Sequence, residues 1–254
     1  MAAFEEQKAS CLSQVDLSKK GSIDDQIVDL VQYINAKDDY FTTSSCSGRI
    51  SVFSELADQK KKHCEWLYVT HSTATEEEVV KSLKGCLGSA VFKFEPFVLH
   101  VQCKDLVAGQ QMLKVALTSG FKNSGIVIGK KANVIVAVRS TQSLEVPLAH
   151  KGELMVSYKY IEFLVNAANK KLEENQTRIN RFFENLRQLL SECDDTCSNC
   201  TLQKTGRTPK IKGTKQNELA LVHVTSQQSN LDTPEQSDDD DALDCLVSFY
   251  GGVS

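Results

Sequence analysis

The chain is predicted to be α/β (α+β), a mixed β-sheet flanked by helices with a long C-terminal helix, on three observations. Helix-periodic runs and strand-like runs follow one another as helix, strands, helix, strands, an order that mixes hairpins with crossovers. No G-x-G-x-x-G follows a strand and no Walker loop or H-x-E with C-x-x-C occurs, which disfavours a GxGxxG Rossmann fold, a P-loop NTPase and a zinc deaminase. At 254 residues, 41% hydrophobic and 24% charged, the chain has material for one core of about 150–200 residues.

Taken in order, residues 1–21 read as a polar lead-in. Ser22 stands three residues before Asp25 as a capping box, and Ile23, Ile27, Leu30, Val31 and Ile34 at helical spacing predict a helix over 23–36. Tyr40–Phe53 reads as two strand ends around a small, hydroxyl-rich middle, the pattern of a hairpin turn. Trp66–Thr70 is a strand, with the basic loop Lys60, Lys61, Lys62 and His63 before it. Thr75 and Glu78 box a helix that turns Val79, Val80, Leu83 and Leu87 inward and ends at Gly85 and Gly88.

Ala90–Gln102 is a long strand-like stretch that Pro96 must break or place at an edge. Residues 105–119 read as a helix stopped by Gly120. Strands at 126–128 and 134–139 flank a second basic tip containing Lys130 and Lys131. Ser157 opens a pattern running to residue 190, with Ile161, Leu164, Val165, Ala168, Leu172, Ile179, Phe182, Phe183, Leu186 and Leu190 along one side.

Charge divides the chain into 1–190, read as a single domain that includes helix 157–190, and 191–254, an acidic tail expected to be disordered. The first carries 24 Lys+Arg against 22 Asp+Glu, the second 5 against 11. The nearly neutral body therefore has room for positive patches facing a polyanion, which the whole-chain charge of −4 would obscure. No apolar run approaches the roughly 18 residues of a membrane span. A charged N-terminal stretch without an apolar h-region predicts no signal peptide, and nine irregularly spaced cysteines predict reduced thiols in a cytoplasmic protein. Cys193, Cys197 and Cys200 lack a nearby fourth ligand, so no metal is expected.

Four segments carry a family resemblance: Thr43–Ile50 (TSSCSGRI), Glu95–Val101 (EPFVLHV), Gly120–Ile126 (GFKNSGI), and Ala137–Thr141 with Val146–Leu148. In this order they resemble the tRNA wybutosine-synthesizing protein 3 family, over roughly residues 8–190. The resemblance implies an S-adenosylmethionine-dependent methyltransferase acting on N4 of the tricyclic wybutosine precursor at position 37 of phenylalanine tRNA. It implies tRNA as partner, neither DNA nor membrane, and leaves a non-catalytic tRNA-binding protein as the alternative.

In-line methyl transfer needs positioning more than an enzyme nucleophile, so Cys46 reads as packing beside the site. The nitrogen's proton needs an acceptor, for which His100 is the first candidate and His71 the second. Ser44, Ser45, Ser47, Gly48, Asn123, Ser124, Gly125, Ser140 and Thr141 are candidates to hydrogen-bond the cofactor, and Arg49 and Arg139 to take a carboxylate or phosphate. Lys60, Lys61, Lys62, Lys130 and Lys131 are the candidates for RNA phosphates. Rival readings are an acyl or phosphoryl transferase centred on Ser45 and Cys46, and an adaptor working through the long helix and acidic tail.

Overall fold

The computed structural model describes residues 2–14, 21–55, 64–129 and 132–199. Its helices are α1 (Ala2–Leu12), α2 (Val28–Asn35), α3 (Glu76–Leu83), α4 (Leu106–Thr118) and α5 (Tyr158–Asn199). Its strands are β1 (Tyr40–Cys46), β2 (Arg49–Glu55), β3 (Cys64–Thr70), β4 (Ser89–Glu95), β5 (Val98–Cys103), β6 (Gly125–Ile128), β7 (Val134–Arg139), β8 (Leu144–His150) and β9 (Glu153–Leu154). The mixed α and β composition and the long last helix agree with the sequence.

The strands form two antiparallel sheets, β1-β5-β7-β6 and β3-β2-β4-β8-β9. Tyr40–Phe53 is therefore no hairpin, because β1 pairs with β5 while β2 pairs with β3 and β4. The reason lies at Ser47-Gly48. Gly48 takes φ +103°, a conformation glycine adopts without penalty, and the chain there leaves one sheet for the other. It crosses again at Pro96-Phe97, where the sequence required a break, and a third time between β7 and β8.

One helix serves both sheets. Ile161, Leu164, Val165 and Ala168 of α5 pack with Ile50, Val52, Phe92 and Phe94 of the second sheet. Further along, Ile179, Phe182, Leu186 and Leu190 pack with Leu99, Val101, Val136 and Val138 of the first. Between these stretches the stripe is interrupted by Asn175, 1% exposed. Its Oδ1 accepts the Phe97 N–H at 2.8 Å and its Nδ2 donates to the Ser47 carbonyl at 2.8 Å, so one amide ties two crossings together. Glu174 beside it accepts a hydrogen bond from Gln142 in the third crossing, which with Arg178 holds its carboxyl below the usual range. A Cβ on Gly48 would meet Asn175 Nδ2 at 2.9 Å and the Glu95 carbonyl oxygen at 3.1 Å, so the junction has no room for a side chain.

Rings from the second crossing, the segment after α4, and α5 close the core under this junction. Phe97, Phe121 and Phe182 are fully buried, with centroids 5.3 to 6.4 Å apart. Such pairs add about 0.5–1.5 kcal/mol each beyond area burial.

Several local expectations change. Residues 2–12 form a helix, held by Phe4 against Phe41 and by Gln7 accepting from Gln102. Ser22 does not box α2. A 3-10 turn, Asp25–Ile27, precedes that helix, and the Asp24 carboxylate at its start is drawn instead to the Ser47 N–H. Leu87 is 83% exposed, since Gly85 at φ +83° has already turned the chain away from the α3 face. Helix α5 continues past 190 to Asn199. The Thr75–Glu78 box and the Ser157 cap form as predicted, and Asp105, read as the first residue of its helix, caps it instead.

Candidate active site on the first sheet

The row Ser44, His100, Ala137, Gly125 runs straight across β1, β5, β7 and β6. The next row holds Cys46, Val98 and Arg139. The even-numbered positions of β5 face away from the core that Leu99, Val101 and Cys103 enter, so His100 stands on the outer face. Phe41 and Gln102, further along that face, lie under α1. His100 and Arg139 remain half-buried and Ser44 exposed.

These side chains define a proton arrangement. Arg139 Nη2 lies 3.1 Å from His100 Nε2, and a guanidinium only donates, so Nε2 is the accepting nitrogen. The neutral ring then carries its proton on Nδ1, which donates to Ser44 Oγ at 2.8 Å. Burial first, and the Arg139 charge second, hold the imidazole below its ordinary 6.5. It is therefore neutral at pH 7, with its one lone pair turned to a cation. Ser124 Oγ accepts the Arg139 N–H at 3.0 Å, which fixes the β6 start against β7. A Cβ on Gly125 would meet nothing within 4 Å, so space opens above the row.

Each of the four sequence segments thus reaches this region: the side chains of Ser44, His100 and Arg139 meet on the face, and Ser124 holds the Arg139 backbone at its edge. Gly125 joins them and Asn123 is exposed just before β6. Ser47 and Gly48 are buried in the first crossing. Ser45 pairs with Leu99 on the opposite parity of β1. Arg49 belongs to the second sheet, where it pairs with Glu95 at 2.5 Å and lies 4.8 Å over Trp66. Ser140 and Thr141 lead into the third crossing. His71 follows β3, its Nε2 3.6 Å from Asp24 Oδ1. Lys60, Lys61, Lys62, Lys130 and Lys131 lie outside the described residues.

Sequence reasoning missed Asn175, Asp24 and Gln142. A signal existed for Asn175, which falls between Leu172 and Ile179 at the three- and four-residue steps of the apolar stripe. Asp24 and Gln142 are met only through long-range contacts and carry no local pattern.

A two-sheet α+β protein whose sequence signatures meet at a polar, partly open histidine–arginine face is the class these features define. The comparisons assign it further. Residues 6–188 match the family model described as Methyltransferase TYW3, and the chain belongs to that family. It is 44% identical over 250 residues to the tRNA wybutosine-synthesizing protein 3 homolog of Danio rerio, covering 97% of this chain and 98% of that one. The Homo sapiens homolog of the same name is 44% identical over 253 residues, covering 98% and 97%. Among solved structures, a protein from Pyrococcus horikoshii superposes with TM-score 0.66 at 32% identity, covering 71% of this chain and 94% of that one.

Proposed function

We propose that this protein transfers the methyl group of S-adenosylmethionine to N4 of the tricyclic wybutosine precursor at position 37 of phenylalanine tRNA, with residues 1–190 as the catalytic domain and the acidic tail outside it. The observation that carries the reading is the meeting of Ser44, His100 and Arg139 on one open face, with Ser124 bracing the Arg139 backbone, in a chain of this methyltransferase family. The donor set suits the cofactor: a guanidinium for its carboxylate, hydroxyls for its amine and ribose, and a bare Gly125 Cα beneath open space. When bound, the cofactor supplies an electrophilic methyl on a sulfonium.

The chain's own residues do the rest. The accepting nitrogen loses a proton as it is methylated, and His100 Nε2 is the atom with a lone pair to receive it. Arg139 occupies that lone pair in the resting arrangement. An anion drawn to Arg139 turns the guanidinium aside and frees Nε2, so ligand binding switches the base on. Ser44 holds the Nδ1 proton and keeps the ring in the useful tautomer. His71, beside Asp24, is the second candidate acceptor. Ser45, Ser47, Gly48, Arg49, Asn123, Ser140 and Thr141 complete the proposed cofactor surroundings. Lys60, Lys61, Lys62, Lys130 and Lys131 follow the phosphates of an anticodon loop whose modified base is splayed out.

The test mixes the protein with methyl-labelled S-adenosylmethionine and phenylalanine tRNA from a strain lacking this step. Label is expected on the tricyclic base. Folded protein that binds the tRNA without transferring label would overturn the enzyme reading in favour of a binding protein.

A further inference from the structure

Beside the histidine–arginine face lies a second constellation, of which the proposed methyl transfer draws on His71 alone, as its second candidate acceptor. Asp24 precedes the 3-10 turn, Cys46 is the last residue of β1, and His71 follows β3. One ligand atom from each lies within 4.8 Å of the others, and His71 Nε2 stands 3.6 Å from Asp24 Oδ1. Bonds of about 2.0–2.3 Å to a tetrahedral ion place neighbouring ligand atoms about 3.3–3.8 Å apart. The imidazole and carboxylate already stand at that separation, slightly too far for a strong direct hydrogen bond. Closing the widest gap takes at most about 1.5 Å.

The surroundings resemble those of metal ligands. The second Asp24 oxygen, Oδ2, accepts the Ser47 N–H at 2.8 Å, while Oδ1 stands 3.6 Å from His71 Nε2. The Gly48 N–H reaches the Cys46 sulfur. Gln26 Nε2 donates to the His71 carbonyl at 3.1 Å, fixing the backbone that carries the ring. Outer hydrogen bonds of this kind orient ligating groups. A coordinated divalent ion takes a ligating thiol as its thiolate.

We propose that Asp24, Cys46 and His71 form a three-ligand site for a divalent transition-metal ion of zinc-like preference, with its fourth position left for water or a ligand group. The mixture of one thiolate, one imidazole and one carboxylate sets the class, since sulfur excludes magnesium and calcium. Cys46 lies two residues along β1 from Ser44 on the same face, a step of about 6.8 Å. An ion here borders the proposed methyl-transfer site and pins three separate segments to the first crossing. The ligands are scattered along the chain, which is why no spacing motif announces them.

The test uses the full chain with Cys193→Ser, Cys197→Ser and Cys200→Ser, so that tail thiols do not compete. Apo protein is titrated with cobalt(II) and followed by the thiolate-to-cobalt charge-transfer band and the visible bands of a tetrahedral ion. One cobalt per chain is expected, displaced by zinc, with the charge-transfer band abolished by Cys46→Ser. Asp24→Asn and His71→Gln are each expected to weaken binding by more than about tenfold. Zinc is expected to raise Tm in the parent and not in Cys46→Ser. Should Cys46→Ser fail to fold, His71→Gln, at a 25% exposed side chain, carries the same comparison. No cobalt–thiolate band in the parent, or a band unchanged in these variants, would overturn the site. Neither readout requires methyl transfer, so the two proposals fail separately.

Discussion

The two sheets treat their outward-facing charges in opposite ways. On the second sheet Arg49 pairs with Glu95, Lys93 pairs with Glu145 at 3.0 Å, and both cations lie 4.8 Å over rings, Trp66 and Phe53. That face satisfies itself. On the first sheet, Arg139 meets the neutral His100, and among the described residues no carboxylate forms an ion pair with it. A cation set against a depressed base is poorly served by its neighbours and ready for an anion from outside. The contrast extends to the histidines. Each sheet has a serine–histidine pair between adjacent strands, Ser44 with His100 at 2.8 Å and Ser89 with His150 at 3.2 Å, yet only the first has an arginine on the ring's other nitrogen.

The sharpest test of this difference exchanges the histidines. His100→Gln is expected to lower kcat for methyl transfer by about 10²–10⁴-fold, the usual worth of a positioned base, while His150→Gln leaves it within about twofold. Equal effects in a steady-state assay would erase the distinction between the sheets.

Asn175→Ala removes the tie on which both faces depend. It leaves a buried N–H and a buried carbonyl without partners and is expected to cost about 2–4 kcal/mol in urea unfolding, with unchanged far-UV circular dichroism. A loss under 1 kcal/mol would show that the crossings hold themselves.

Arg139→Gln is expected to reduce kcat/KM by about 10–100-fold, the scale of a charge-assisted contact. It also shifts the pH profile. Arg139 helps to hold His100 below 6.5, so the wild-type acid limb falls below that value and the variant's moves upward, by less than burial contributes. The same sign governs folding. As pH drops from 6.5 the unfolded chain takes up the proton before the folded one, so stability declines with acidification. An acid limb that stays in place would remove His100 from the profile. The smallest effect belongs to Lys93→Gln on the self-paired face, within about 1 kcal/mol in stability and without change in methyl transfer.

Much of this fold was legible because its elements carry local signals. The Thr75 box, the Ser157 cap, the break at Pro96 and the antiparallel pair β6–β7 are all written within a few residues of where they act. The crossing at Ser47-Gly48 was not, since a small polar segment between strand-like runs suits a hairpin and a sheet change equally well. Helix α1 offered little amphipathic pattern, because its hold on the body comes from one ring, Phe4, and from polar contacts such as Lys8 Nζ donating to the Lys37 carbonyl at 2.6 Å. Ser44, His100, Ser124 and Arg139 were recognisable as motif members, but that Ser44, His100 and Arg139 share a face is a property of strand register. Asn175 shows the remaining gap. Its importance lies in two backbone groups more than 70 residues distant in sequence, the nearer being the Phe97 N–H, |i−j| = 78.

The tie at Asn175 has a consequence for the order in which this protein comes into being. Both sheets are complete by Leu154, yet the amide that joins their crossings is translated some twenty positions later. A chain emerging from the ribosome therefore possesses every strand of the histidine–arginine face before it possesses the clasp, and early termination before that helix yields two sheets without the Asn175 tie. The fastening arrives with the last helix, well after the residues proposed to perform the chemistry.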